Sequence, residues 1–319
     1  MPTDLPFAPS RILGTTGLAV SPLCLGGNVF GWTADRDASM RVLDDYVARG
    51  GNFVDTADVY SEWAPGNSGG ESERILGQWM AERRNRADIL VATKVAKLST
   101  ARGLAAGTIH AAVDGSLSRL RTDYIDVYYA HMDDPSVPME ETLGAFDELV
   151  RAGKVRYLAA SNFTPDRLRE ALRISERDGL AAYVATQDHY NLMQRDAYER
   201  DMEPLVLEYG LASLPYYGLA RGFLTGKYRP GTTVDSPRAQ AARAYVGDRG
   251  DRVLAAIGSI ANVHACSPAA VALAWLLTRP GVTAPIASAR TVEQLVDLVP
   301  MATLTLSADE IDALDAASA

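Results

Sequence analysis

Cysteine is scarce. The 319 residues hold two, Cys24 and Cys266, far apart and in unlike contexts. That excludes a disulfide-stapled scaffold and leads us to expect reduced, small apolar core thiols in a cytoplasmic protein. Long apolar runs are missing too. No stretch approaches the roughly 20 residues that a membrane helix needs. Met1-Pro2-Thr3-Asp4 shows no basic segment leading into an apolar one, so neither a membrane partner nor a signal peptide is expected. Positive charge is in deficit: 31 Lys and Arg face 40 Asp and Glu, for a formal net charge of −9. The cations are scattered rather than massed, which argues against a nucleic-acid partner. Repeats, low-complexity blocks and linkers are absent. So is G-x-G-x-x-G: Gly26-Gly27 does not match it, which weakens a doubly wound dinucleotide sheet.

What is present is an ordinary globular composition, 47% hydrophobic and 22% charged, with ample material for a large core. Arg11 to Val20 reads as a small hairpin around a glycine turn. Short continuous apolar runs then follow in series: Leu23–Leu25, Asn52–Val54, Ile89–Thr93, Ile125–Ala130, Val155–Ala160, Tyr183–Thr186, Leu211–Leu214 and Val282–Ile286. Helical patterns separate them, with caps such as Asp35 and Thr164-Pro165. Between Gly226 and about Gly250 a long loop is expected. Continuous apolar strands suit a parallel sheet covered on both faces, and eight strand–helix units close most simply as one α/β TIM barrel over residues 1–319.

In such a barrel the site lies at the C-terminal strand ends. Those ends carry Asp55, Lys94, His131, Ser161-Asn162, Gln187 and Tyr216. Asp55 stops an apolar strand in Gly50-Gly51-Asn52-Phe53-Val54-Asp55, so a buried carboxylate there needs a cation, and Lys94 supplies one. Tyr60 follows five residues after Asp55. A nearby ammonium is expected to lower the pKa of its phenol, making Asp55–Lys94–Tyr60 a tuned acid, with His131 orienting a substrate oxygen. Each residue alone also fits a structural role; their joint occurrence at successive strand ends is the signal. His110, His189 and His264 read as structural or surface residues. Trp32, Trp63 and Met132 sit in loops after strands and are expected, with Asn28 and the 226–250 loop, to line a substrate pocket.

Here the sequence resembles the aldo-keto reductases over nearly its whole length. The resemblance is carried by Asn52 to Tyr60, Gly70-Glu71-Ser72-Glu73-Arg74-Ile75-Leu76-Gly77, Thr93-Lys94, Tyr124 to His131, Gly153-Lys154-Val155-Arg156-Tyr157 and Ala160-Ser161-Asn162-Phe163. It implies a (β/α)8 barrel with a hairpin plugging its bottom, and reversible reduction of an aldehyde or ketone by a nicotinamide, usually NADPH, with NADH also possible. It implies a tetrad of Asp55, Tyr60, Lys94 and His131, with Tyr60 as general acid. Carboxamide contacts fall on Ser161, Asn162 and Gln187, and the stacking ring on Tyr216. Phosphate contacts fall within the segment from Gly218 to Lys227, on Gly218, Leu219, Arg221 and Lys227. Ser288, Arg290 and Gln294 fall at the adenosine-phosphate segment, and Gly26, Gly27 and Asn28 at the first strand end join the cofactor set. No metal ligand is implied. The partner is a small-molecule carbonyl whose identity stays open among sugar ketone, aromatic aldehyde, dicarbonyl and polyketide-type ketone. Two other classes share these features: a nicotinamide-binding regulatory subunit with little turnover, and an isomerase or lyase using the same acid.

Overall fold

The computed structural model describes residue 7 and residues 10–228 and 239–319. Two short strands open it, β1 (Arg11–Ile12) and β2 (Ala19–Val20), paired antiparallel. Then come β3 (Cys24–Gly26), α1 (Arg36–Ala48), β4 (Phe53–Asp55), α2 (Glu71–Arg83), β5 (Leu90–Val95), α3 (Ala106–Leu120), β6 (Ile125–Ala130) and α4 (Met139–Arg151). The second half runs β7 (Val155–Ser161), α5 (Pro165–Asp178), β8 (Tyr183–Gln187), α6 (Glu203–Tyr209), β9 (Ala212–Ser213), α7 (Ala239–Arg243), α8 (Asp248–Val263), α9 (Pro268–Leu277), β10 (Ile286–Ala287), α10 (Val292–Leu298) and α11 (Ala308–Ser318).

Strands β3 to β10 form one parallel eight-stranded sheet in the order β10-β3-β4-β5-β6-β7-β8-β9. Its two ends meet. The Ser213 amide donates to the Gly281 carbonyl at 2.9 Å, the Thr283 amide to Ser213 at 2.8 Å, and the Ile286 amide to Pro215 at 2.8 Å. The sheet is thus curled into a (β/α)8 barrel. The last strand was expected as one run over Val282–Ile286. Instead Val282 bridges to Ser213 of β9, while Ile286 and Ala287 pair with β3. Pro285 lies at the break; having no N–H, it cannot continue the ladder, though its carbonyl still accepts from Cys24 at 3.1 Å.

Alternation along the strands sorts the core. Val127 and Tyr129 of β6 join Cys24, Phe53, Ala92, Ala159, Ala185 and Ala212 inside the barrel. Tyr128 and Ala130 of the same strand face the helix layer. Leu13 and Val20 from the hairpin, both fully buried, close the interior cluster at the strands' N-terminal side. Tyr157 at the start of β7 donates to the Thr16 carbonyl at 2.9 Å, and a Cβ on Gly14 would lie 2.5 Å from the Val184 carbonyl, so the turn sits flush on the barrel. Truncating Leu13 to alanine there costs about 2–5 kcal/mol.

Local signals explain five of the eleven helix starts named above. Asp35, Thr164, Ser267 and Thr291 each accept an amide of the first turn, and Ser307 with Glu310 makes a capping box. The expected 226–250 loop is corrected in part. Residues 229–238 lie outside the described residues, but α7 follows directly and α8 begins at Asp248. Among the described residues no single helix is long and apolar enough to cross a membrane.

Candidate functional site

The C-terminal strand ends open onto a cavity of about 1070 Å³. At its floor, Lys94 is wholly buried and Asp55 is 1% exposed. The Lys94 ammonium donates to both Asp55 oxygens at 2.6 and 2.7 Å, to the Thr56 carbonyl at 2.9 Å, and to the Tyr60 phenol oxygen at 2.9 Å. The Tyr60 hydroxyl donates to Asp55 Oδ2 at 3.0 Å, and Gln187 Nε2 donates to Asp55 Oδ1 at 2.9 Å. The carboxylate therefore has a full set of donors, as a charge taken out of water requires. His131, 8% exposed, lines the same cavity with its ring 6.0 Å from the Tyr60 ring.

The electrostatics differ from expectation at Tyr60. Burial, the Asp55 charge and the hydrogen bond to Asp55 together hold the phenol well above its ordinary pKa. The expected lowering by Lys94 loses because Asp55 sits as close to the phenol as Lys94 does and desolvation adds to its effect. The resting group is a firmly protonated acid. Burial also pulls Lys94 down from its usual value, against the opposing pull of Asp55. His131 is pushed well below its ordinary range, first by burial and then by the Lys94 and Lys97 ammoniums, so its imidazole is neutral near pH 7.

Above this floor the cavity is lined by Ser161, Asn162, Gln187 and Tyr216, by Gly218, Leu219, Arg221 and Lys227, and by Ser288, Arg290 and Gln294. The Asn162 amide donates to the His131 carbonyl and to Ser161 Oγ, both at 2.9 Å, and Tyr216 donates to Asn162 Oδ1 at 2.9 Å. These bonds tie the Tyr216 hydroxyl, through Asn162, to the backbone at His131. Tyr217, Ala220 and Arg221 all have left-handed φ (55°, 46° and 59°), so the segment leading to Lys227 is tightly and expensively curled. Ser288 donates to Asn28 Oδ1 at 2.7 Å. A Cβ on Gly26 would meet Ser288 Oγ at 2.6 Å, so glycine is needed for that approach. Arg221, Lys227 and Arg290 line the cavity together with the tethered Tyr216 ring, a set of cations and a flat ring that could hold a phosphate-bearing cofactor. Trp32, Trp63 and Met132 line the same cavity. Trp32 and Trp63 pack edge to face at 5.6 Å, and Trp63 is 49% exposed.

Gly27, expected in the cofactor set, stands apart from the cavity. It is buried and does not line the cavity; its amide donates to the Asp55 carbonyl at 2.7 Å, and a Cβ would meet Ser72 Oγ at 2.8 Å. Its role is spacing between β3 and β4. His189 is structural, as expected: its ring stacks on Tyr216 with centroids 5.5 Å apart and 19° between planes, bracing that ring. His110 and His264 pair with Glu148 and Glu310. Lys97, Arg102 and Glu62 line the cavity as well, and the sequence reading passed over all three. The loop after β5 follows the same strand-end rule that singled out Lys94. Cys24 is a buried interior residue, and both cysteines are unpaired.

Residues 22–319 match the model of the family described as "Aldo/keto reductase family". An uncharacterized oxidoreductase, YrpG, of Bacillus subtilis (strain 168) is 35% identical over 92% of this chain and 91% of its own. A putative voltage-gated potassium channel subunit beta of Schizosaccharomyces pombe is 34% identical, over 93% and 88%. Norsolorinic acid reductase B of Aspergillus parasiticus is 31% identical, over 93% and 81%.

Proposed function

The chain belongs to the aldo/keto reductase family, and from that premise we propose that it reduces an aldehyde or ketone to an alcohol at the expense of NADPH. One observation carries the reading: a half-buried phenol, held by an ammonium and a carboxylate within 3.0 Å, beside a neutral imidazole at the floor of a dinucleotide-sized cleft. When bound, the reduced nicotinamide supplies a hydride to the carbonyl carbon. Tyr60 gives its proton to the carbonyl oxygen as charge develops there. Its high resting pKa keeps that proton in place until then. Lys94 already donates to the phenol oxygen, so it stabilises the phenolate as it forms, and Asp55 keeps Lys94 charged and aimed. His131 presents a neutral ring to the substrate oxygen and orients it against Tyr60.

Ser161, Asn162 and Gln187 would hold the carboxamide and Tyr216 the ring face. Arg221 and Lys227 with Gly218 and Leu219 would hold the bridging phosphates, and Ser288, Arg290, Gln294, Asn28 and Gly26 the adenosine end. A guanidinium fork at Arg290 suits a 2′-phosphate and so favours NADPH over NADH. Residues 1–319 act as one barrel unit in this reading. The test is a panel of aromatic, aliphatic and dicarbonyl substrates with each nucleotide. We expect NADPH-dependent turnover with several of them. The likeness to a potassium channel beta subunit favours a second reading, a nucleotide-binding regulatory subunit. Tight NADPH binding with no turnover on any carbonyl would select it.

A further inference from the structure

The cavity carries two cations that the chemistry above does not use. Lys97 and Arg102 both line it, as do Met132, His131 and the Trp32–Trp63 pair, and Lys97 lies close enough to His131 to act on its charge. Among the described residues neither side chain has a hydrogen-bond or ion-pair partner. Both are carried on a loop that is tied down. β5 ends at Val95, and the buried Ala96 sits at φ 109°, a conformation strained for any residue with a Cβ. Ala96 bridges to Arg102, and the Gly103 amide donates to the Ala96 carbonyl at 3.0 Å. The Leu104 amide donates to Asp134 Oδ2 at 2.9 Å, and the Ser99 amide to Glu62 Oε1 at 3.1 Å. The two nearby carboxylates thus hold the loop through its own amides rather than neutralising its cations. Burial, and secondly the Lys94 ammonium, pull Lys97 below its usual pKa, a cost that an anion beside it would relieve.

We propose that Lys97 and Arg102 form a carboxylate subsite, so that the substrate is an anionic carbonyl compound: an aldehyde or ketone whose aromatic body lies along Trp32 and Trp63 and whose far end carries a carboxylate. The Arg102 fork accepts a carboxylate in two parallel bonds, and Lys97 adds a point charge. In a chain of net charge −9, a locally cationic mouth also steers anions inward. The proposal rests on the reductase reading for which atom reacts, but not for what binds.

Two arms keep those apart. In the first, turnover of 4-carboxybenzaldehyde is compared with that of its methyl ester. The acid should be favoured about tenfold in kcat/KM, the scale of one hydrogen bond to a charged group in a half-wet site. In Lys97→Gln and Arg102→Gln the ratio should collapse toward one, through the KM of the acid, and the wild-type ratio should shrink with added salt. In the second, benzoate and benzamide are titrated into the NADP+-loaded protein while tryptophan fluorescence is followed. Benzoate should bind more tightly, and the difference should vanish in both variants. Equal binding of benzoate and benzamide, or variants that weaken NADPH rather than the acid, overturns the subsite even if reduction proceeds. Benzoate selectivity lost in the variants, with no turnover of any carbonyl, upholds the subsite and removes the reductase reading.

Discussion

Tyr60→Phe and Lys94→Met remove two neighbours in one hydrogen-bonded cluster, yet their effects should separate. In Tyr60→Phe, Asp55 loses one donor at 3.0 Å but keeps Lys94 on both oxygens and Gln187 on one. A hydrogen bond to a charged group is worth about 1.5–3 kcal/mol in isolation, and with three donor contacts left the loss should be nearer 1 kcal/mol. That shifts Tm by at most about 3 °C. Turnover should fall by about 10²–10⁴, the usual contribution of a positioned general acid, while NADPH binding is kept. Lys94→Met is the reverse case. It leaves a carboxylate that is 1% exposed without its cation, which costs about 3–5 kcal/mol. Against a total of about 5–15 kcal/mol, that is a large share. The assays are thermal unfolding at pH 8, NADPH binding by fluorescence, and loss of nicotinamide absorbance with an aldehyde. Turnover within tenfold of wild type in Tyr60→Phe would remove the phenol from its role. A Lys94→Met protein as stable as wild type at pH 8 would refute the account of the buried pair.

Asp58 is fully buried near Glu73, and burial followed by the Glu73 charge raises its pKa to about 7. Because the folded value exceeds the unfolded one, the folded state holds a proton that the unfolded chain has released. Stability at this site is therefore greatest at acid pH and falls as pH rises from about 4 toward 7. Asp58→Asn should raise stability at pH 8 by up to about 4 kcal/mol, with the gain fading toward pH 4; a gain independent of pH would contradict the assignment. Two helical glycines should respond with opposite signs. A Cβ on Gly77 of α2 would lie 2.3 Å from the Arg119 carbonyl of α3, so Gly77→Ala should lose about 1–3 kcal/mol despite better helix propensity. Gly144 of α4 has nothing within 4 Å of that position, and Gly144→Ala should gain about 0.5–1 kcal/mol, both read by urea unfolding. Arg290→Met should raise KM about tenfold for NADPH and little for NADH; equal effects on both would take Arg290 off the 2′-phosphate.

Much of this was written locally. The strands are short apolar runs, several with a polar residue at or beside the C-terminal end, so the alternation, the barrel and the candidates at Asp55, Lys94, His131 and Gln187 could be read by periodicity and strand-end position alone. Caps at Asp35, Thr164 and Ser307 were equally local. Other features needed distant parts of the chain to meet. The closing strand is shared between β9 and β3 because Pro285 falls where two neighbours compete for its backbone. Gly27 spaces two strands, while Gly26 beside it opens onto Ser288, some 260 residues away. His189 braces Tyr216 only because the ends of β8 and β9 lie side by side. Lys97 and Arg102 reach the cavity through the turn at Ala96, which nothing in an alanine announces. The sense of the Tyr60 shift could not be read from its neighbours in sequence either. Desolvation depends on every atom that excludes water, and those atoms come from the whole barrel. Sequence thus determined which groups arrive at the mouth of the barrel; their charge states, their supports and the fit of the cavity were decided by packing.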